Sequence, residues 1–209
     1  MKSNSLAIDS LIIAREGAPL SAPISLTLSG GDLLAVHGRN GSGKSTLLKT
    51  LAGLLPIHRG RIQLNGQWPS ATPPLYLGHK RGLSLGMSVM DNVSFWAKAS
   101  AVAELTAAAL RYFDLEDAAS VTVNELSAGW QQRVALTRLI TMPNHLWLLD
   151  EPTANLDIEG MALLQSLLQS RAEQGGIIVI ASHMQMHGAN IKSLHLDNAL
   201  LEEEVAVHV

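Results

Sequence analysis

Cysteine is absent from the 209 residues of this chain, which excludes a disulfide framework, a thiolate-held metal and a cysteine nucleophile. An excess of positive charge is missing too. Fifteen Lys and Arg stand against 18 Asp and Glu, a formal net charge of −3, so no basic surface of the kind nucleic acid requires is expected. No apolar run approaches the roughly 20 residues needed to cross a bilayer, and those at 146–149 and 177–181 have the length of core strands. The N-terminal MKSNSLAIDSL lacks a signal-type hydrophobic stretch. Neither repeats nor low-complexity linkers divide the chain. What is present is a large apolar fraction, 47%, enough for one well-buried α/β domain at this length. A soluble protein is expected, one that can still dock on a membrane partner.

Patterning along the chain points to a particular α/β arrangement. Residues 6–13 and 24–28 alternate as strands around a Gly-Ala-Pro turn at 17–19, and 33–36 is a continuous apolar strand ending near Gly38. From Lys44 the period becomes helical, with Leu47, Leu48, Leu51 and Leu54 on one face and a stop at 53–56. Short strands are expected at 61–64, before the Asn65-Gly66 turn, and at 75–77. Between about 83 and 145 strand signals nearly vanish, and 101–113 and 130–141 read as helices. Strands then return at 146–149, 177–181 and 191–196, with a helix at 157–173. Such alternation implies a mainly parallel, doubly wound sheet with an inserted helical subdomain.

Three motifs carry chemistry. Gly38-Arg39-Asn40-Gly41-Ser42-Gly43-Lys44-Ser45-Thr46 fits the phosphate-loop pattern in full and stands between an apolar strand and an amphipathic helix. Glycines let backbone N–H groups turn inward around a phosphate, Lys44 adds a point charge, and Ser45 offers a hydroxyl to Mg²⁺. The run 145–151 is a buried strand ending in Asp150 and Glu151, at the sheet edge where open α/β sheets bind ligands. Asp150 is the candidate Mg²⁺ partner and Glu151 the candidate base that orients water. In the run Asn124-Glu125-Leu126-Ser127-Ala128-Gly129-Trp130-Gln131-Gln132-Arg133, small residues precede a helix, leaving N–H groups and a hydroxyl at its N-terminus, a geometry suited to an anion. One nucleotide does not need two cradles from one fold, so Ser127, Ala128 and Gly129 are expected to face the nucleotide of a second subunit. Asp157 reads as a helix cap, which is compatible with an interface role. His183, just past the strand at 177–181, stands within reach of a γ-phosphate or the attacking water.

Taken in order, GRNGSGKST, LSAG, LLDEP, ANLD and SH resemble the ATP-binding subunits of ABC transporters, over essentially the whole chain. The resemblance implies a P-loop NTPase fold of the ABC ATPase type: a mainly parallel sheet, an antiparallel β subdomain and an inserted helical subdomain. The ATP-binding core would take about 1–82 and 146–209, and the helical subdomain about 83–145. It also implies ATP and Mg²⁺ as ligands, and a head-to-tail homodimer in which each ATP lies between one phosphate loop and the partner's Ser127–Gly129. Integral membrane subunits of an exporter would be the further partners. Within the family the chain is similar to the short ATP-binding subunits of bacterial haem exporters in cytochrome c maturation. The grounds are its length, Leu75-Tyr76-Leu77-Gly78-His79, the variant LSAG and the short C-terminal stretch. That implies a peripheral position on the cytoplasmic face of the inner membrane.

The chain departs from the family pattern at three places. His79 stands where relatives carry a Mg²⁺-contacting Gln, and is either a metal or nucleophile contact or a loop residue. The aromatic that stacks on adenine is missing; Arg15 either stacks its guanidinium there or has no role, and base selectivity is expected to be weak. Trp130 replaces the terminal Gln of the signature and either packs on the helical lobe or lies in the dimer interface. Other function classes fare worse. A chromosome-type ATPase would need a long coiled coil between Lys44 and Ser127, and a translation-type relative would carry two such domains. A low-turnover nucleotide-binding module is opposed by Lys44, Asp150, Glu151 and His183. A kinase or GTPase has no use for LSAG.

Overall fold

The computed structural model describes residues 4–68, 73–142, 144–182 and 190–196, which fall into two compact units. The first takes residues up to Tyr76, Asn144–Glu151 and the chain from Ser170. It opens with β1 (Ser5–Ile12), the two-residue strands β2 (Ala14–Arg15) and β3 (Ala18–Pro19), and β4 (Ile24–Ser29). Glu16 and Gly17 join β2 to β3 with φ of 52° and 84°, the two positive values of a tight hairpin turn. β5 (Leu33–His37), α1 (Lys44–Leu51), β6 (Arg59–Leu64) and β7 (Leu75–Leu77) follow, and β8 (Leu146–Asp150), β9 (Ile177–Ala181) and β10 (Ile191–His195) complete the strands.

Two sheets result. One is antiparallel, in the order β4-β1-β6, and the other runs β10-β5-β9-β8-β7, with the pairs β10–β5, β5–β9 and β9–β8 parallel. β8 and β9 are buried at every residue, and β5 at all but its last, which is why they read as unbroken apolar runs rather than alternations. Leu47, Leu48 and Leu51 of α1 are fully buried in one cluster with Leu6, Leu11, Val36, Leu148 and Val179. Leu54, expected on that same helix face, is instead 60% exposed, because α1 stops at Leu51 and Gly53 turns left-handed at φ 72°.

The second unit comprises Leu77–Pro143 and Pro152–Gln169. Its helices are α2 (Val89–Ala99), α3 (Leu105–Tyr112), α4 (Ala128–Leu136), α5 (Arg138–Thr141) and the part of α6 (Ile158–Glu173) up to Gln169. Val93, Ala97, Leu110, Phe113, Leu136 and Leu164 belong to its core. Ser88 caps α2 by accepting from Asp91 N–H at 3.1 Å. Asn92 is buried, yet its amide bonds Ser84 N–H and the Ser84 and Ser88 carbonyls, closing the loop before α2.

Helix boundaries differ from the periodic reading at two further places. α3 begins at Leu105 rather than at 101, because Ala101 adopts φ 57°. The stretch 130–141 is two helices that meet at Thr137, whose hydroxyl donates to Val134 O. The helical unit also takes in 152–169. Tyr112 donates to Leu163 O at 2.9 Å, Gln132 to Pro152 O, and Arg133 to Asp157.

Candidate nucleotide site

Between β5 and α1 the chain turns through Gly38, Gly41 and Gly43, at φ 149°, 88° and 102°. At Gly43 the backbone angle favours glycine, and a Cβ would also lie 2.8 Å from Ile13 Cδ1, the movable end of a side chain. α1 therefore starts with no side-chain cap and no acidic residue in its first turn, leaving its N-terminal N–H groups to a ligand. Lys44 is buried, and its ammonium donates to Gly38 O at 2.7 Å and Arg39 O at 3.2 Å, curling back over the loop. Ser42 Oγ is buried without a hydrogen-bond partner, a hydroxyl for which an anion would supply the acceptor. Ser45 is half-buried, Thr46 is buried, and Asn40 and Gly41 are exposed. An uncapped helix start, an ammonium and an orphaned hydroxyl fit a phosphate group.

The carboxylates lie on the same sheet edge as this loop. Val36 of β5 and Asp150 of β8 both pair with Ala181 of β9. Asp150 is thus two strands, roughly 10 Å, from the base of the loop. It is buried, and accepts from Tyr76 Oη at 3.4 Å. Burial first, and the Asp150 carboxylate second, push the Tyr76 hydroxyl well above its ordinary range. Tyr76 is a neighbour of the site that its sequence context did not reveal; the only signal was a hydroxyl-bearing aromatic in an otherwise apolar strand. Glu151 leaves β8 in the left-handed region at φ 50°, with its N–H donating to Ala181 O at 2.7 Å. For a residue with a Cβ this conformation costs about 1–2 kcal/mol, so the sheet holds Glu151 in a strained exit from the strand. Hydroxyl and carboxylate oxygens are the hard donors Mg²⁺ takes, and that ion needs only one or two carboxylates beside substrate phosphates. Ser182 follows β9 and is buried, whereas His183 lies outside the described residues.

Arg15 is exposed on β2 and lines a cavity of about 610 Å³ together with Glu16, Ser45, Thr46, Lys49 and His58.

In the helical unit, Ser127 caps α4, accepting from Trp130 N–H at 3.3 Å. Ser127 and Ala128 are exposed. Gly129 could not carry a side chain without conflict, since a Cβ would fall 2.7 Å from Asn155 O. Trp130 does not pack as lobe core: it is 37% exposed, with the Arg133 guanidinium 5.5 Å from its ring. Arg133 itself is buried; its Nη2 donates to both oxygens of Asp157 at 2.8 and 2.9 Å, and its Nη1 to Asp114 Oδ2 at 3.3 Å. These bonds and that from Gly160 N–H hold the Asp157 carboxyl below its usual range, and Asp157 caps α6 through the latter. The structure thus brings Trp130, Asp114 and Asp157 around one cation, Arg133, a cluster the linear spacing did not suggest. His79 is exposed just past β7. Among the described residues there is no cluster of three His, Cys, Asp or Glu placed to hold a metal.

Comparison with known proteins follows the same lines. The ABC transporter family profile matches residues 22–154. The chain is 35% identical to the cytochrome c biogenesis ATP-binding export protein CcmA of Paramagnetospirillum magneticum, over 98% of this chain and all of that one. It is 39% identical to CcmA of Ruegeria pomeroyi, over 87% of this chain and 86% of the other. Among solved structures, an ABC transporter ATP-binding protein from Pyrococcus furiosus superimposes with a TM-score of 0.80 at 25% identity, covering 93% of this chain and 98% of that one.

Proposed function

The chain belongs to the ABC transporter family as an ATP-binding subunit, and from that membership we propose that it hydrolyses Mg²⁺-ATP to power haem export or haem-chaperone release in cytochrome c maturation. The observation that carries the ATPase reading is the shared sheet edge: a phosphate loop with a buried ammonium and an orphaned hydroxyl, two strands from Asp150 and Glu151. Gly38–Thr46 bind and orient the phosphates, with Lys44 as the point charge. Mg²⁺, held by Ser45 and Asp150, would neutralise charge between the β- and γ-phosphates. Glu151 accepts a hydrogen bond from the attacking water and orients it, with His183 the candidate for a second contact to that water or the γ-phosphate. His79 remains a candidate metal contact.

Ser127, Ala128 and Gly129 close a head-to-tail homodimer over the partner's nucleotide, and Asp157 lies at that interface. The exposure of Ser127 and Ala128 at the start of α4 supports this reading. No helix among the described residues is long and apolar enough to cross a membrane; family membership supports assigning the translocation path to integral membrane partner chains. Leu85, Met87, Met90 and Phe95, all 40% or more exposed in the helical unit, form the apolar surface offered to them. Val93, on the same helix, is core. The names of the relatives, cytochrome c biogenesis ATP-binding export proteins, support a role in export for cytochrome c biogenesis; haem as the cargo and a peripheral position on the cytoplasmic face of the inner membrane belong to the proposal.

Affinity purification from solubilised membranes tests the proposal. Recovery of an integral membrane partner whose complex carries haem is the expected result. Recovery with ribosomes alone would sink the transporter reading, and a membrane partner that neither binds nor moves haem would sink the substrate.

A further inference from the structure

Arg81 lies two residues beyond His79 and is half-buried in the helical unit. Its Nε donates to Gln132 Oε1 at 3.1 Å and its Nη1 to Gln131 Oε1 at 3.2 Å, so one guanidinium bonds two consecutive side chains of α4. Accepting from Arg81 turns the NH₂ of each amide toward backbone. Gln131 Nε2 donates to the Val123 and Leu126 carbonyls, both at 3.1 Å, and Gln132 Nε2 donates to Pro152 O at 2.9 Å. Leu126 immediately precedes Ser127, and Pro152 immediately follows Glu151. The backbone beneath Arg81 is held in turn by Arg138, which is buried, lies 5.3 Å from the Trp96 ring and donates to the Arg81 carbonyl.

We infer that Arg81 is a positioning residue for the start of α4. Its planar fork sets both Gln amides, which hold the Leu126–Ser127 turn and the Pro152 carbonyl in one arrangement and tie them to the segment that begins at His79. A lysine, as a point charge on a flexible stem, lacks the fork that matches two acceptors at once. The inference rests on the proposed role of Ser127–Gly129 in closing the dimer. Because Arg81 is no part of the phosphate loop, its loss impairs the meeting of two ATP-loaded copies and leaves ATP binding by one copy as it was.

The test uses the full chain carrying Glu151→Gln, the background in which the ATP-bound dimer accumulates. A fluorescent ATP analogue reads nucleotide affinity, and sedimentation reads the dimer dissociation constant with ATP and Mg²⁺. Arg81→Ala is expected to raise the dimer constant about tenfold or more, the loss that goes with charge-assisted hydrogen bonds. ATP affinity should change by less than about twofold, and Arg81→Lys should fail to restore the dimer. Gln132→Ala, which removes the Pro152 arm and leaves Arg81 in place, should show the same split, and its effect should not add to that of Arg81→Ala. An unchanged dimer constant, full rescue by lysine or a parallel loss of ATP affinity overturns the inference. If the Glu151→Gln parent itself forms no ATP-dependent dimer, the dimer reading of the site fails and Arg81's role falls with it.

Discussion

Gly129→Ala sets two physical terms of opposite sign against each other at the proposed partner-facing site. Gly129 is the second residue of α4, a position where alanine would be favoured by up to about 1 kcal/mol on helix propensity. The added Cβ would however lie 2.7 Å from Asn155 O, where a real Cβ keeps at least about 3.0–3.4 Å. The Cβ is fixed directly to the helix backbone and Asn155 O is itself backbone, so no side chain can swing away. Asn155 already sits in the left-handed region at φ 65°, and Asp157, two residues on, is pinned by Arg133 Nη2. Relief must shift the start of α4 or the loop before α6, an overpacking cost of about 1–3 kcal/mol. The net expectation is destabilisation by up to about 2 kcal/mol, a fall in Tm of up to roughly 4–8 °C for a domain of this size. Gly86→Ala is the control, because nothing lies within 4 Å of a Cβ there and φ is not left-handed. Circular-dichroism melts without nucleotide, run beside steady-state ATPase assays, measure both halves. Hydrolysis should fall in Gly129→Ala while ATP affinity of the isolated chain holds. A variant at least as stable as wild type with full ATPase activity would refute the close approach and its consequence together.

Three further outcomes follow from the site. Glu151→Gln keeps the shape of the side chain and removes its basicity, so hydrolysis should fall by two orders of magnitude or more, about 3 kcal/mol in barrier, while an ATP-bound dimer accumulates on gel filtration. A variant that turns over normally and stays monomeric removes Glu151 from its role. Lys44→Ala removes the ammonium that faces the Gly38 and Arg39 carbonyls, and the upward shift in Tm that ATP gives wild type should disappear; a retained shift would place the phosphates elsewhere. Tyr76 titrates higher in the folded chain than its ordinary value of 10.0. The unfolded chain therefore loses this proton first, and stability from this group, complete below about pH 10, declines as pH rises above it. Tyr76→Phe should flatten the alkaline limb of a urea-midpoint profile, and an unchanged slope would count against the Tyr76–Asp150 contact.

Much of the fold was legible because its signals are local. β5, β8 and β9 are buried on both faces and so had to be continuous apolar runs, and a glycine-rich turn followed by Lys-Ser-Thr has one common context, a strand leading into a helix. Helix ends were less legible, because single residues at positive φ, Gly53 and Ala101, override periodicity without changing it. Trp130 was ambiguous for another reason: an aromatic at helical spacing has the same pattern whether it packs inward or lies over a cation at the surface.

What the sequence determined by itself was the strand and helix alternation, the phosphate loop and the two carboxylates ending a core strand, since each is written in residues adjacent along the chain. Only the tertiary structure decided who meets whom across long separations. It set Val36 and Asp150 on either side of Ala181, Tyr76 beside Asp150, Arg133 of α4 upon Asp157, and Arg81 upon two glutamines of α4. The physical reason is that strand order and side-chain hydrogen bonds depend on packing that no periodicity encodes, so a buried arginine shows its partners only once the chain is folded.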